Sequence, residues 1–259
     1  MTWTRVFGVA AMLCMVPTEV LYAQDDDFTS DLFFGGLTTT DVLPKNRLQW
    51  ETFAYYSRAR EDGLTANNWS LNSSLLRFGL NGSSELRLQG SLLHTDVEDY
   101  HETGLANIAV GLKTRLFEDR GWIPAIAVLG NLYIPGGKDS AFLPDELSYG
   151  LSLIFCNQIS PWLSLGYQYE LNWYNNESPS HFFGAFLDFF LSDKMCLTVE
   201  ESNVYDKSYD DNRLQPAMAA SLAYRVHRRA EMVFETAWSI DDKIHGFSLT
   251  LGVAWQLTK

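Results

Sequence analysis

The closing stretch, "GFSLTLGVAWQLTK" (246–259), alternates strictly. Phe247, Leu249, Leu251, Val253, Trp255 and Leu257 are apolar, and Ser248, Thr250, Gly252, Ala254 and Gln256 between them are small or polar. A period of two sends successive side chains to opposite faces of a strand. The pattern recurs upstream. In "WLSLGYQYELNW", Leu163, Leu165, Tyr167, Tyr169, Leu171 and Trp173 oppose Ser164, Gly166, Gln168, Glu170 and Asn172. In "ELRLQGSLL", Leu86, Leu88, Gly90 and Leu92 oppose Glu85, Arg87, Gln89 and Ser91. In "LANIAVGLKTRL", Ile108, Val110 and Leu112 oppose Asn107, Ala109, Gly111, Lys113 and Arg115. No amphipathic helix of useful length interrupts the series. The alternation predicts twelve strands, near 47–58, 70–80, 84–95, 104–117, 121–134, 147–158, 161–174, 181–191, 194–204, 214–226, 229–239 and 244–257. Most reach about 11 residues, enough for a tilted strand to cross a bilayer.

Alternation alone does not say which solvent meets the apolar face. Two further patterns favour lipid. The connections alternate between short ("NGSS", "EDRG", "ISP", "SDK", "HRR") and long ("AREDGLTANNW", "DVEDYHET", "PGGKDSAFLPDE", "NNESPS", "YDKSYDDN", then the shorter "DDK"). Outer-membrane barrels have this asymmetry, with tight periplasmic turns and longer outer loops. The aromatics also fall in two bands. Trp50, Trp122, Trp162 and Trp255 lie near the short turns, and Tyr56, Trp69, Trp173, Tyr205 and Trp238 near the long loops. Rings anchored at both interfaces of a membrane give two girdles. The fold expected is therefore an all-β, transmembrane, antiparallel up-and-down β-barrel of about twelve strands, over residues 47–259. The strand at 244–257 should close it against the strand at 47–58, with Gly252 and Gln256 facing the lumen.

Residues 1–23 have the order of a secretory signal peptide: Arg5, the apolar "VFGVAAMLCMVP", then "TEVLYA" before Gln24. Residues 24–46 show no periodicity and form an irregular N-terminal segment whose "LFFGG" is free to tuck into or under the barrel. The mature chain keeps Cys156 and Cys196, which fall on non-neighbouring strands and are expected to stay as free thiols. The net charge of −13 argues against a nucleic-acid partner.

Three stretches carry a family resemblance: "LPKNRLQWE", "LLRFGLNGSSELRLQG" and "GLANIAVGLKTRLFEDRGWIPAIAVLGNLYIPGG". They resemble the outer-membrane barrels described as transporters, or as proteins of the meta-pathway of phenol degradation. The likeness is clear over residues 43–137 and looser beyond. It implies a barrel in the outer membrane of a Gram-negative cell that passes a small, aromatic or hydrophobic solute. The expected partners are the lipid bilayer, lipopolysaccharide, that solute and the barrel-assembly machinery, for which Thr250, Gly252, Trp255 and Leu257 have the spacing of a C-terminal recognition signal.

The polar faces give a candidate lumen site. Arg77, Arg87, Lys113 and Arg115 point inward from consecutive strands near the short turns, and Glu51, Glu170, Asp188, Glu200, Glu231 and Glu235 point inward elsewhere. A basic strip facing an acidic wall would act on polar solutes, or would simply pair and close the lumen. The long loops are acidic, with Asp96, Glu98, Asp99 and Glu102 in one, Asp206, Asp210 and Asp211 in another, and Asp241 and Asp242 in a third. "HTDVEDYHE" groups His94, Asp96, Glu98, His101 and Glu102 but matches no metal-ligand motif, so neither a metal nor any other cofactor is expected. No nucleophile motif accompanies His181 or His245, so no catalytic residue is assigned. A largely closed structural or loop-binding barrel is the second reading, and a membrane-embedded enzyme the third.

Overall fold

The computed structural model describes residues 28–31, 36–61, 63–138, 140–174, 178–206, 214–241 and 243–258. Its strands are β1 (Leu48–Glu61), β2 (Leu64–Gly79), β3 (Ser84–Val97), β4 (Tyr100–Phe117), β5 (Ala125–Tyr133), β6 (Ser148–Ser160), β7 (Leu163–Trp173), β8 (Ser180–Ser192), β9 (Met195–Tyr205), β10 (Leu214–His227), β11 (Ala230–Ser239) and β12 (His245–Gln256). Each pairs antiparallel with its chain neighbours, and β1 pairs with β12 from Gln49–Gln256 to Arg60–His245, so the sheet closes with no free edge. Closure satisfies every backbone ladder internally, which a hydrocarbon environment requires.

The barrel is inside out relative to a soluble one. Leu88, Leu112, Leu251 and Phe234 are each half exposed on the outer face, whereas Glu51, Arg77, Lys113 and Glu200 are at most 2% exposed inside. Trp50, Trp162 and Trp255 are exposed at the short-turn end, and Trp122 is wholly exposed on the connection between β4 and β5 rather than on a strand. Toward the other end Trp69 and Trp238 are exposed, while Tyr56, Trp173 and Tyr205 are half-buried. Tyr56 packs on Trp69 at 4.2 Å between ring centres and meets Phe247 edge-on at 5.9 Å.

Two expected loops are strand instead. Glu61 pairs with Leu64, and Val97 with Tyr100, so β1–β2 and β3–β4 end in tight turns. Glu98 sits at the second turn with a φ of 50°. The sequence hides these extensions because a hairpin projecting into water is wet on both faces and has no reason to alternate. Asn107 is also displaced from its expected inward position. It is the extra residue of a bulge, exposed with a φ of 53°, while Ala106 and Ala109 face the lumen.

The connection 134–147 is the longest of those wholly or mostly described, and it folds over the mouth so that Phe142 rests against Gly104. Cys156 on β6 and Cys196 on β9 are free thiols. The expected signal peptide at 1–23, residues 32–35 of "LFFGG", and Asp210, Asp211 and Asp242 lie outside the described residues.

Candidate functional site: the barrel lumen

The chain does not enter β1 from outside. Pro44 and Asn46 turn it: the Arg47 N–H donates to the Pro44 carbonyl (3.1 Å), the Asn46 N–H donates to the Gly79 carbonyl (2.8 Å), and Asn46 adopts a φ of 64°. Gly79 makes the turn possible, since a Cβ there would lie 2.0 Å from the Pro44 carbonyl oxygen. The segment before the turn therefore folds back from the short-turn end. Its contacts come from opposite sides of the barrel, which places it inside the lumen.

On one side the segment docks against β7. The Thr38 N–H donates to Oε1 of Gln168 (3.0 Å), whose Nε2 donates to the Gly36 carbonyl (3.2 Å). Phe28 is buried against Val233 and Ala254, with Phe53 and Ala223 at the edge of the cluster, and the Arg225 guanidinium lies 5.3 Å from its ring centre. Ser30 donates to Glu231 at 2.5 Å.

On the other side lies a charge cluster centred on Asp31. Its carboxylate accepts from Arg87 (2.5 Å) and Lys113 (2.7 Å), lies 3.5 Å from Arg77, and accepts from the Thr39 hydroxyl (2.8 Å). Arg77 is used in full. Nε and Nη2 form a fork on Glu85, both at 2.9 Å, and Nη1 donates to Glu51 (2.8 Å) and the Thr29 carbonyl (3.2 Å). Nη2 also donates to the Asp41 carbonyl (3.3 Å). Arg87 also donates to Glu85 (2.9 Å), and the Leu43 N–H donates to the same carboxylate (2.8 Å). Three cations, Arg77, Arg87 and Lys113, thus meet three anions, Asp31, Glu51 and Glu85, all nearly sealed from solvent. Burial alone would push the Asp31 carboxyl up. The facing charges of Arg77, Lys113 and Arg87 outweigh burial and hold it well below the usual carboxylate range.

This alters the expected site. The basic strip does not pair with an opposing acidic wall. It pairs with the N-terminal segment and with carboxylates of β1 and β3. Glu51 is the one member of the expected acidic set drawn into the cluster. Arg115 lies apart, half-buried at the rim, 3.9 Å from Asp41 and 3.7 Å from Glu118. Glu85 lies on the polar face of its strand, outside the expected set. Asp31 sits in an aperiodic stretch that carried no signal.

The acidic wall is a separate region. Glu170 accepts from Ser152 (2.6 Å), Gln168 (3.1 Å) and Asn172 (2.7 Å), and Asp188 from Ser164 (2.9 Å) and Thr198 (2.7 Å). Glu200 is 2% exposed, and neither carboxylate oxygen has a hydrogen-bond partner. Glu235 on β11 is buried on the same inner face, across β10 from Glu200 and two residues along in register. Among the described residues Glu170, Asp188, Glu200 and Glu231 form no ion pair. Below the segment, at the short-turn end, a cavity of about 460 Å³ opens between Thr29, Thr40, Arg115, Asp188, Arg225 and Glu231.

Known structures share this architecture. An outer membrane channel from Pseudomonas putida F1 superposes with a TM-score of 0.65 at 13% identity, over 84% of this chain and 98% of that one. The NanC porin gives 0.52 at 10% identity, over 80% and 100%. The translocator domain of the autotransporter NalP from Neisseria meningitidis gives 0.51 at 12%, over 81% and 87%. At these identities the likeness is one of fold: an outer-membrane β-barrel. No curated protein matches the sequence significantly. The family described as "Putative MetA-pathway of phenol degradation" matches residues 33–259, and the chain belongs to that family.

Proposed function

We propose that the protein is a passive outer-membrane channel for a small solute, with its lumen occluded at rest by residues 28–31 and 36–46. The observation that carries this reading is the Asp31 cluster. The segment is fixed by ion pairs and hydrogen bonds to the wall, and no described residue ties it there covalently. Two of the three structures above that share the fold are a channel and a porin, which supports the reading. In it, Arg77, Arg87 and Lys113 latch the segment. Glu170, Asp188, Glu200, Glu231 and Glu235 make the remaining lumen wall rich in carboxyl groups, which disfavours anionic solutes. An aromatic or hydrophobic solute fits the family description and the apolar patches at Phe28 and Phe186. Among the described residues the lumen pairs no histidine with a serine or cysteine, so this reading assigns no catalytic residue. Trp255 on the closing strand and Leu257 just beyond it, both exposed, suit recognition by the barrel-assembly machinery.

A specific observation favours a second reading, a permanently closed structural barrel: the balanced cluster is buried throughout, so release is costly. Planar-bilayer recordings decide between them. The refolded mature protein should give rare or small conductance steps, and a form lacking residues 24–42 should give frequent, larger ones. If both forms are silent while circular dichroism shows an intact barrel, the channel reading falls and the closed barrel stands.

A further inference from the structure

The projecting hairpins carry charge on a face that the lumen does not use. On β1, Tyr56 faces outward with Trp69 and Phe247 in the upper aromatic band. Two and four residues farther along the same face come Arg58 and Arg60, both exposed. Arg58 is paired across the sheet with Phe247 and Asn67, and Arg60 with His245 and Thr65. Cross-strand partners share a face, so Arg58, Arg60 and His245 form one basic patch directly above the Tyr56–Trp69–Phe247 cluster.

Neither arginine forms a salt bridge among the described residues, and the patch stands out in a chain of net charge −13. One carboxylate on β3 shares this face, Asp96, in register with Asn67. It is bound by imidazoles on both sides, at 2.5 Å from His101 and 3.1 Å from His94, rather than by either arginine. The aromatic band marks the level at which acyl chains give way to headgroups. Cations fixed just above it, on the long-loop side, stand where the headgroups of the outer leaflet lie. The guanidinium fork suits phosphate monoesters on such headgroups.

We infer that Arg58, Arg60 and His245 form a docking site on the outer wall for the phosphorylated glucosamine headgroup of the outer-leaflet glycolipid, lipid A. The site rests on the outer-membrane placement and holds whether or not the lumen conducts. The ring cluster below offers an apolar surface to the first acyl methylenes, and the arginines hold the phosphate. Each arginine should contribute about a fivefold gain in affinity, the scale of a basic side chain at an anionic membrane surface.

The refolded full-length mature barrel in uncharged detergent micelles is titrated with bisphosphorylated lipid A, with the same lipid after phosphatase treatment, and with phosphatidylglycerol. Binding is read by native mass spectrometry, and folding by the heat-modifiable gel shift. Bisphosphorylated lipid A should bind more tightly than either control. A variant carrying R58Q and R60Q should lose that preference by roughly 25-fold, and one carrying R58K and R60K should keep most of it, which guards against a folding artefact. A variant carrying R228Q and R229Q, at the opposite end, should behave as wild type. Equal binding of the phosphatase-treated lipid, equal binding of phosphatidylglycerol, or an unchanged preference in the R58Q/R60Q variant would overturn the site.

Discussion

Two walls of one lumen treat buried charge in opposite ways. The β1–β4 wall carries Arg77, Arg87 and Lys113, which meet Glu51, Glu85 and the segment's Asp31 in a closed set of ion pairs. The β7–β11 wall carries Glu170, Asp188, Glu200, Glu231 and Glu235. Glu170, Asp188 and Glu231 accept from hydroxyl and amide groups, and neither oxygen of Glu200 has a hydrogen-bond partner within bonding geometry among the described residues. Burying a charge is tolerable when it is paired and costly when it is not. The first wall is thus built to hold something already present. In the second, Glu170, Asp188 and Glu231 are held by hydroxyl and amide groups and meet no cation at ion-pair distance among the described residues. The difference puts the segment's charged anchor on the basic side, while the acidic side holds the segment through Gln168, Glu231 and the Phe28 contacts.

The strongest way to break this comparison is to remove the segment's anchor. Asp31→Ala leaves three buried cations facing two carboxylates, and losing one member of such a set costs about 3–5 kcal/mol. The segment should undock. Residues 28–46 should exchange backbone hydrogens rapidly and become open to proteinase K, and conductance steps should become frequent. An unchanged exchange pattern would show that Phe28 and the Gln168 pair hold the segment by themselves. The same anchor predicts a pH response. The Asp31 carboxyl is held below its unfolded value, so its contribution is complete above the ordinary carboxylate range and fades only as pH falls through the depressed value. Docking should therefore survive at pH 5. Opening between pH 7 and pH 5 would point to a different latch.

A smaller effect is expected at the centre of the basic wall. Arg77→Lys keeps the charge but replaces a planar fork that reaches Glu85 twice and Glu51 once. An ammonium cannot span all three positions, so about 1.5–3 kcal/mol should be lost. The midpoint of urea unfolding in micelles measures it. A midpoint equal to wild type would mean that net charge, not geometry, sets the wall. Smaller again is Gly79→Ala, which places a methyl group against the Pro44 carbonyl and forces the turn to shift, at roughly 1–3 kcal/mol. It should raise exchange at 36–46 while barrel amides stay protected.

The sequence carried the barrel more fully than its contents, for a physical reason. A strand between lipid and lumen must alternate, so β7 and β12 were legible residue by residue, as was the pairing of β1 with β12. Where that constraint ends the signal ends. The water-exposed tops of β1–β4 read as loops, and the bulge at Asn107 shifted the parity by one. Arg77, Arg87 and Lys113 were placed on the inward face by alternation alone, but their partner was not. Asp31 acts by where the segment folds, and a segment that binds through carbonyls and single side chains leaves no period to read. An aspartate flanked by "FTS" and "LFF" could have drawn attention only through the charge balance, since the first strands carry more buried cations than carboxylates nearby can neutralise.

The finest test lies on the acidic wall. Glu200→Gln replaces a buried carboxyl that accepts no hydrogen bond from any described group, so the fold should be unchanged or slightly firmer, by no more than about 1 kcal/mol. The informative reading is ionic selectivity. In a form lacking residues 24–42, reversal potentials across a potassium chloride gradient should favour the cation, and Glu200→Gln should reduce that preference without altering the frequency of opening. Asp31→Ala in the full chain should do the reverse, changing the frequency of opening and leaving the preference intact. If Glu200→Gln alters opening, or Asp31→Ala alters selectivity, the two walls are not separate devices, and the latch and the field belong to one network.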